Sequence, residues 1–528
     1  MHDEASPRVS RREFLAIAGS TAALAGTRYV FGAPVEPPAD AELLCIPLVD
    51  FRASLSVSPF TEGVLTKFAL SDETFTARTV ADVQRLFVRH GATEVFARIA
   101  TRRSVAQGLA DHGWQRGLER ARLARQLGLP FNPELGLFAE YGDAPNYQQP
   151  PDFSDFPGIR LSGPWLSLGL DEMARALRQY GAIMARQILA TGVRVVMWDI
   201  GNEVEFGIAG VTPQPLIGAE HYAPPDAVDP EIGRMSVLRL ISTMKSEKRI
   251  AWCQAHLWPA MGRLLAATAD GIRSVDRGAR FSTHISTSGQ KTPALHFAFW
   301  QSMKDAGYLP DQFGISFYVA GGRSSGGADD MFQWFKDVTT GLKARYGRQS
   351  FIAEGGMPSQ AMQAPFAYGD SVQGYPFSEQ GQFAFNRDMI TWGQRTGALA
   401  GYRPWAPDLA VPGWQPMSWF DPDGAIAHAK PALRSFEAAL PSMFVAVAHA
   451  HGGPLALWVR TGGQRVDGMR IDLEGASGRL AYATNVAADG AWRQIGWHGT
   501  ANVHAADRMT LTIDHRGRRI AERPLLSA

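Results

Sequence analysis

From Leu43 onward the chain alternates short apolar or β-branched runs with longer stretches in which apolar residues recur at helical spacing. Eight runs predict strands: Leu44 to Asp50, Glu94 to Ala100, Leu129 to Phe138, Val193 to Gly201, Ala279 to His284, Gln312 to Tyr318, Ser350 to Glu354 and Ala400 to Trp405. Helical patterns between them include Val80 to His90, Trp114 to Leu127, Leu170 to Ala190, Ala255 to Val275, Asp330 to Tyr346 and Gln380 to Arg395. Eight strand-then-helix units are what a closed α/β architecture, the (β/α)8 TIM barrel, requires. After Phe436 the period shortens to two, in Leu455 to Arg460, Gly468 to Leu473, Arg479 to Thr484 and Met509 to Ile513. That pattern predicts a small C-terminal antiparallel β-sandwich. The expected division is a barrel over 43–440 and a β domain over 441–528.

Two long loops interrupt the alternation, one from Val204 to Ala251 and one from Gly355 to Ser378, both rich in Pro and Gly. Loops that follow barrel strands sit at the mouth, where substrates bind, so both are expected to wall a cleft. The charge balance, 52 basic against 51 acidic residues, provides no long-range field to gather nucleic acid or anionic lipid. A neutral substrate suits such a surface. Fourteen tryptophans and 28 phenylalanines offer flat faces that stack on sugar rings, although most aromatics of this size fill cores. Trp492 and Trp497, in the β domain, are read as packing residues before sugar contacts.

Ser10-Arg11-Arg12-Glu13-Phe14-Leu15, followed by the mild apolar run Ala16 to Gly26, resembles a twin-arginine export signal. The run is too short and too rich in Gly and Ala to span a bilayer stably. Residues 1–33 are therefore expected to be a removable signal peptide and 34–42 a linker, with the mature protein periplasmic or extracellular. Cys45 and Cys253 are too few to staple a chain of this length and are read as buried thiols.

The chemistry concentrates at two strand ends. Trp198-Asp199-Ile200-Gly201-Asn202-Glu203 begins where the fourth strand emerges at the mouth, and Phe351-Ile352-Ala353-Glu354-Gly355-Gly356 does the same at the seventh. A lone carboxylate at a strand end is more often a solvated loop residue or an ion-pair partner. A pair on strands four and seven faces across the mouth, and retaining glycoside cleavage needs two carboxyl groups about 5 Å apart. Glu203 is then the acid/base and Glu354 the nucleophile. The glycines after Glu354 are expected to let substrate approach the backbone.

From about Leu170 to Phe436 the chain resembles glycoside hydrolase family 53, the arabinogalactan endo-β-1,4-galactanases. The resemblance rests on ordered motifs: Gly201-Asn202-Glu203 with Gly207, His284, Gly314 to Tyr318, Glu354, Glu379-Gln380-Gly381-Gln382, Gly401-Tyr402-Arg403-Pro404-Trp405 and Phe420 to Gly424. It implies that Asn202 contacts a sugar 2-hydroxyl, that Tyr318 holds Glu354, and that Trp405 forms a sugar platform. It also implies that Arg98 keeps the nucleophile ionised and that His284 lines the floor. Trp405 is equally suited to plug the barrel top, and Arg98 to an ordinary barrel ion pair.

The third strand departs from the family. Its His-Tyr-Ser-Asp-like segment is replaced by Asn132 to Tyr141, in which Glu134 and Glu140 are read as exposed loop carboxylates, with a subsite role as the alternative. Gly355-Gly356-Met357-Pro358 is a second departure. Catalysis can survive both while galactan preference does not. The alternatives are therefore the same chemistry on another β-linked polymer, or an exported carbohydrate-binding protein without catalysis. No phosphate loop, His-Glu-x-x-His pattern, paired-Cys motif or Gly-x-Ser-x-Gly elbow occurs, so no cofactor and no metal is expected.

Overall fold

The computed structural model describes residues 35–140, 149–215, 225–286, 293–319, 328–363, 367–449, 455–475, 478–486, 488–495 and 509–525. The export-signal segment and Trp497 lie outside them. Eight parallel strands form one curled sheet: β1 (Arg52–Ala53), β2 (Val95–Ile99), β3 (Phe131–Leu135), β4 (Trp198–Ile200), β5 (Phe281–Ile285), β6 (Gln312–Tyr318), β7 (Ser350–Gly356) and β8 (Leu399–Pro404). Hydrogen-bonded neighbours run β1-β8-β7-β6-β5-β4-β3-β2, so the strands follow chain order with β8 returning beside β1. The sheet's two ends meet where the Thr93 N–H donates to the Ala53 carbonyl at 2.9 Å and the Phe96 N–H to the Ser56 hydroxyl at 2.9 Å. This is a (β/α)8 barrel.

Helices pack around the sheet because each presents an apolar stripe. In α1 (Val80–Arg89), Val83, Leu86 and Phe87 are buried, and a capping box of Thr79 and Asp82 fixes the first turn. The ring continues with α2 (Trp114–Gln126), α3 (Leu170–Leu189), α4 (Trp258–Arg273), α5 (Ala294–Asp305), α6 (Ala328–Tyr346) and α7 (Glu379–Thr396), closed by the short α8 (Ser435–Ala439). Ser378 caps α7 at its start, and Gly397 ends it in the left-handed conformation.

The strand expected over Leu44 to Asp50 is not a barrel strand. Glu42–Pro47 pairs antiparallel with Ser442–His449 in a four-stranded sheet completed by Leu455–Thr461 and Arg493–Ile495. The barrel's first strand is instead the two-residue Arg52–Ala53. An apolar run carries no mark of which sheet it joins, and β1 is too short and too polar at its flanks to stand out as a strand. A second four-stranded antiparallel sheet, Gly478–Val486, Val466–Gly475, Met509–His515 and Arg518–Leu525, completes the terminal β domain. Trp492 is buried there against Ala446 and Trp458, a packing role. Cys45 and Cys253 are free and buried, and burial pushes both thiols up. Among the described residues no helix is long and apolar enough to cross a membrane.

Candidate active site

Both glutamates emerge from the barrel at the same end. After β4 the chain turns through Gly201 at φ +80° and Glu203 at φ +46°, then enters a single 3-10 turn, Val204–Phe206. A side chain on Gly201 would collide with Val204, which leaves glycine as the residue that fits. Glu203 is in a left-handed conformation that non-glycine residues adopt at a cost of roughly 1–3 kcal/mol. Such strain persists only where surrounding structure enforces it, here the buried Asn202, Val204 and Glu205 on either side.

Glu354 sits on β7 opposite Ser316 of β6, in a stretch where the register shifts against both neighbouring strands. Arg98, fully enclosed at the end of β2, donates from Nη2 to Glu354 Oε2 at 2.8 Å. Tyr318, at the end of β6, donates its hydroxyl to Glu354 Oε1 at 2.7 Å. Both oxygens of Glu354 thus accept a hydrogen bond, one of them charge-assisted. Burial and the neighbouring carboxylates push the Tyr318 hydroxyl well up, so it keeps the proton it donates.

Glu203 is arranged the opposite way. Burial first, then the charges of Glu354 and Glu205, drive its carboxyl well above the ordinary carboxylate range, with Ser316 and Arg98 opposing the rise. Two carboxyl groups with environments that separate their proton affinities are the basis of an acid and a nucleophile in one cleft. Glu205 is itself buried, pushed up to about 7 by burial, and accepts from the Ser286 N–H at 3.0 Å and from the Ser286 hydroxyl.

The remaining residues singled out by the sequence fall around this pair. Asn202 is buried beside Glu203. His284, on β5, is buried with Nδ1 3.8 Å from a Glu134 oxygen, and burial together with Arg98 and Arg403 pulls its pKa well down. It is a neutral ring in the barrel interior. Trp405 lies with its ring 4.4 Å from the Arg98 guanidinium carbon and meets Phe60 edge-on. It therefore covers the arginine that holds Glu354.

One expectation is corrected. Glu134 is not an exposed loop carboxylate: it is fully buried, accepts from Arg98 Nε, lies 3.5 Å from Arg403 Nη1, and is pushed up to about 7 by burial. Its position on β3, beside Arg98 in the sheet register, aims it inward. Gly355 has a packing reason to be glycine, because a Cβ there would lie 2.5 Å from the Phe317 carbonyl of the adjacent strand. Glu140 is exposed as expected and pairs with Arg102, which also holds Asp152 at 3.0 Å.

Sequence reasoning missed Arg403, Glu205 and Tyr368. Arg403 donates to Asp199 at 2.9 Å and to the Ala353 carbonyl at 3.1 Å, tying β8 to β4 and to the residue before Glu354. Tyr368 stands 6.4 Å from Tyr318, ring to ring, and its hydroxyl is pushed up by burial and by both Glu354 and Glu203. The repeat of glutamate at 203 and 205 was a visible signal. Tyr368, inside an irregular loop, carried none.

A (β/α)8 barrel that brings two glutamates with buried carboxyl groups to the ends of its fourth and seventh strands has the groups that glycoside hydrolysis uses. Residues 160–420 match the model of Glycosyl hydrolase family 53. Among solved structures, the Ignisphaera aggregans GH53 catalytic domain aligns at 16% identity and TM-score 0.52, over 78% of this chain and 99% of that one. A structure from work on two fungal β-1,4-galactanases aligns at 16% identity and TM-score 0.52, over 73% of this chain and 98% of the other. At that identity the likeness speaks for the fold. No curated protein matches the chain.

Proposed function

We propose that the protein cleaves a β-linked polysaccharide of the β-1,4-galactan type with retention of configuration, Glu354 acting as nucleophile and Glu203 as acid/base. The observation that carries this is the opposed treatment of the two carboxyls: Arg98 and Tyr318 hold Glu354 ready to attack, while burial and the negative charge of Glu354 keep a proton on Glu203. Glu203 gives that proton to the glycosidic oxygen as Glu354 attacks the anomeric carbon, forming a glycosyl ester and releasing the leaving sugar. Glu203, now a carboxylate, takes a proton from the water that hydrolyses the ester. Each face of the anomeric carbon is attacked once, so the configuration returns. In this reading Asn202, buried next to Glu203 in the chain, takes the 2-hydroxyl as charge develops. The family match and the galactanase neighbour supply the galactan expectation.

The test is product analysis on β-1,4-galactan, β-glucans and mannans, with the anomer of the first product followed by NMR. Galactan cleavage that first releases the β-anomer is expected. Inversion would remove the nucleophile role, and cleavage confined to another polymer would reassign the substrate. A cavity of about 720 Å3 between the segments after β2 and β3 is lined by Arg102, Glu140, Asp152 and Trp165, and it adjoins the third-strand departure.

Export by the twin-arginine route is supported by the Ser10 to Leu15 pattern. Arg11→Lys with Arg12→Lys is expected to leave activity in the cytoplasmic fraction. Unchanged export would overturn the assignment.

A further inference from the structure

At the end of the barrel opposite the glutamates, a cavity of about 620 Å3 separates the barrel floor from the last strand of the β domain, Arg518–Leu525. Its inner wall includes Arg52 and Glu94, which neutralise each other through two hydrogen bonds of 2.9 Å. Its outer wall is different. Arg125 comes from the last turn of α2, Arg194 from the segment leading into β4, and Arg523 from the final strand.

These three arginines lack carboxylate partners at ion-pair distance among the described residues, whereas Arg518 pairs with Asp50 at 3.8 Å and Arg519 with Asp514 at 2.7 Å. Arg523 is fixed in place by donating from Nη1 to the Gly128 carbonyl at 2.9 Å. Arg125 is held over the turn before β4, its Nε 3.4 Å from where a Cβ on Gly192 would stand. The barrel and the β domain thus each bring guanidinium groups to one concave surface. Like charges brought together repel, so folding tolerates this arrangement most readily when an anion joins them. Burial first, then the neighbouring charge of Arg194, lower the Arg523 pKa to about 10, with Glu522 opposing the fall.

We infer that this interdomain cleft binds an oxyanion, held by the Arg125, Arg194 and Arg523 guanidinium groups. Guanidinium forks suit carboxylate and phosphoryl oxygens alike. Two sources share that chemistry: the carboxylate of a uronate-bearing saccharide, and free phosphate. A site of this kind, remote from the glutamates, would anchor an acidic stretch of polymer or lock the β domain to the barrel.

The experiment is thermal unfolding of the full chain with trigalacturonate or with inorganic phosphate, each against sodium chloride at matched ionic strength. The same titrations are made on the Arg125→Gln/Arg194→Gln variant. A saturable rise in Tm with at least one probe, with affinity at least tenfold weaker in the variant, is expected. Sugar hydrolysis by that variant should match the parent, because neither arginine lies near the mouth. A response to trigalacturonate alone makes the ligand a saccharide, and a response to phosphate alone makes it the free ion. No rise above the chloride control, or an equal rise in the variant, overturns the inference.

Discussion

The floor and the mouth of this barrel are built from the same side chains and behave differently. At the floor, Arg52 spends its guanidinium on Glu94 at 2.9 Å twice, on Gln312 at 2.7 Å and on Asn132 at 2.5 Å, all buried. At the mouth, Arg98 and Arg403 bond the carboxyl groups of Glu134, Asp199 and Glu354, and Glu203 and Glu205 add two further buried carboxyls. A cluster with matched charge is structure. One in which carboxyls outnumber cations must keep protons, and a retained proton is what an acid catalyst needs.

The sharpest way to break the comparison is at the mouth. Glu354→Gln is expected to abolish turnover, and Glu203→Gln to lower kcat by about 10²- to 10⁴-fold on substrates with poor leaving groups. The denaturant midpoint should not fall in Glu203→Gln, which removes a buried carboxyl crowded by Glu354 and Glu205, whereas Glu354→Gln also removes a charge paired with Arg98 and should lose some stability. Glycosides with good leaving groups need little protonation, so a Glu203 variant should cleave them in a burst and then stall. Near-parental turnover of polysaccharide by either variant would end the assignment.

Next come the arginines, which separate the two regions. Arg52→Met leaves Glu94 buried without its cation and is expected to cost about 3–5 kcal/mol of stability, read from urea unfolding. Its kcat per folded molecule should be unchanged. Arg98→Met removes the partner of both Glu134 and Glu354, so it should damage turnover far beyond its effect on stability. Equal ratios of activity loss to stability loss in the two variants would erase the distinction between floor and mouth.

How much of this was legible in sequence follows from the same physics. The strands β4 to β8 were visible because apolar runs bounded by loops are what a buried parallel sheet demands, and the glutamates fell at their ends. Arg98 and Tyr318 were placed by resemblance, and both bond Glu354. Pairing was not legible. Glu42–Pro47 has the composition of a barrel strand yet joins the terminal domain, because partner choice depends on residues some four hundred positions away. Glu134 was misjudged for a related reason. A carboxylate in a strand is affordable in the interior only when cations come to it, and Arg98 and Arg403 come from β2 and β8.

The smallest expected effect tests the charge excess itself. Above about pH 7 Glu205 is ionised, and its charge is one of the causes holding the proton on Glu203. Glu205→Gln keeps the hydrogen-bonding shape toward Ser286 and removes that charge. The acid form of Glu203 drives the first step, so activity falls as pH rises through its pKa, and the variant's alkaline limb in kcat/KM should move to lower pH with its plateau preserved. Stability carries a second signature. The Glu205 carboxyl is raised from an ordinary 4.5 to about 7, so the folded chain binds that proton more tightly than the unfolded chain. Stability is then fully present below the ordinary value and is lost as pH climbs to about 7. The glutamine variant should show a flatter loss over that window. An unmoved alkaline limb together with an unchanged stability slope would mean that Glu205 is a bystander, and that burial and Glu354 suffice to keep Glu203 an acid.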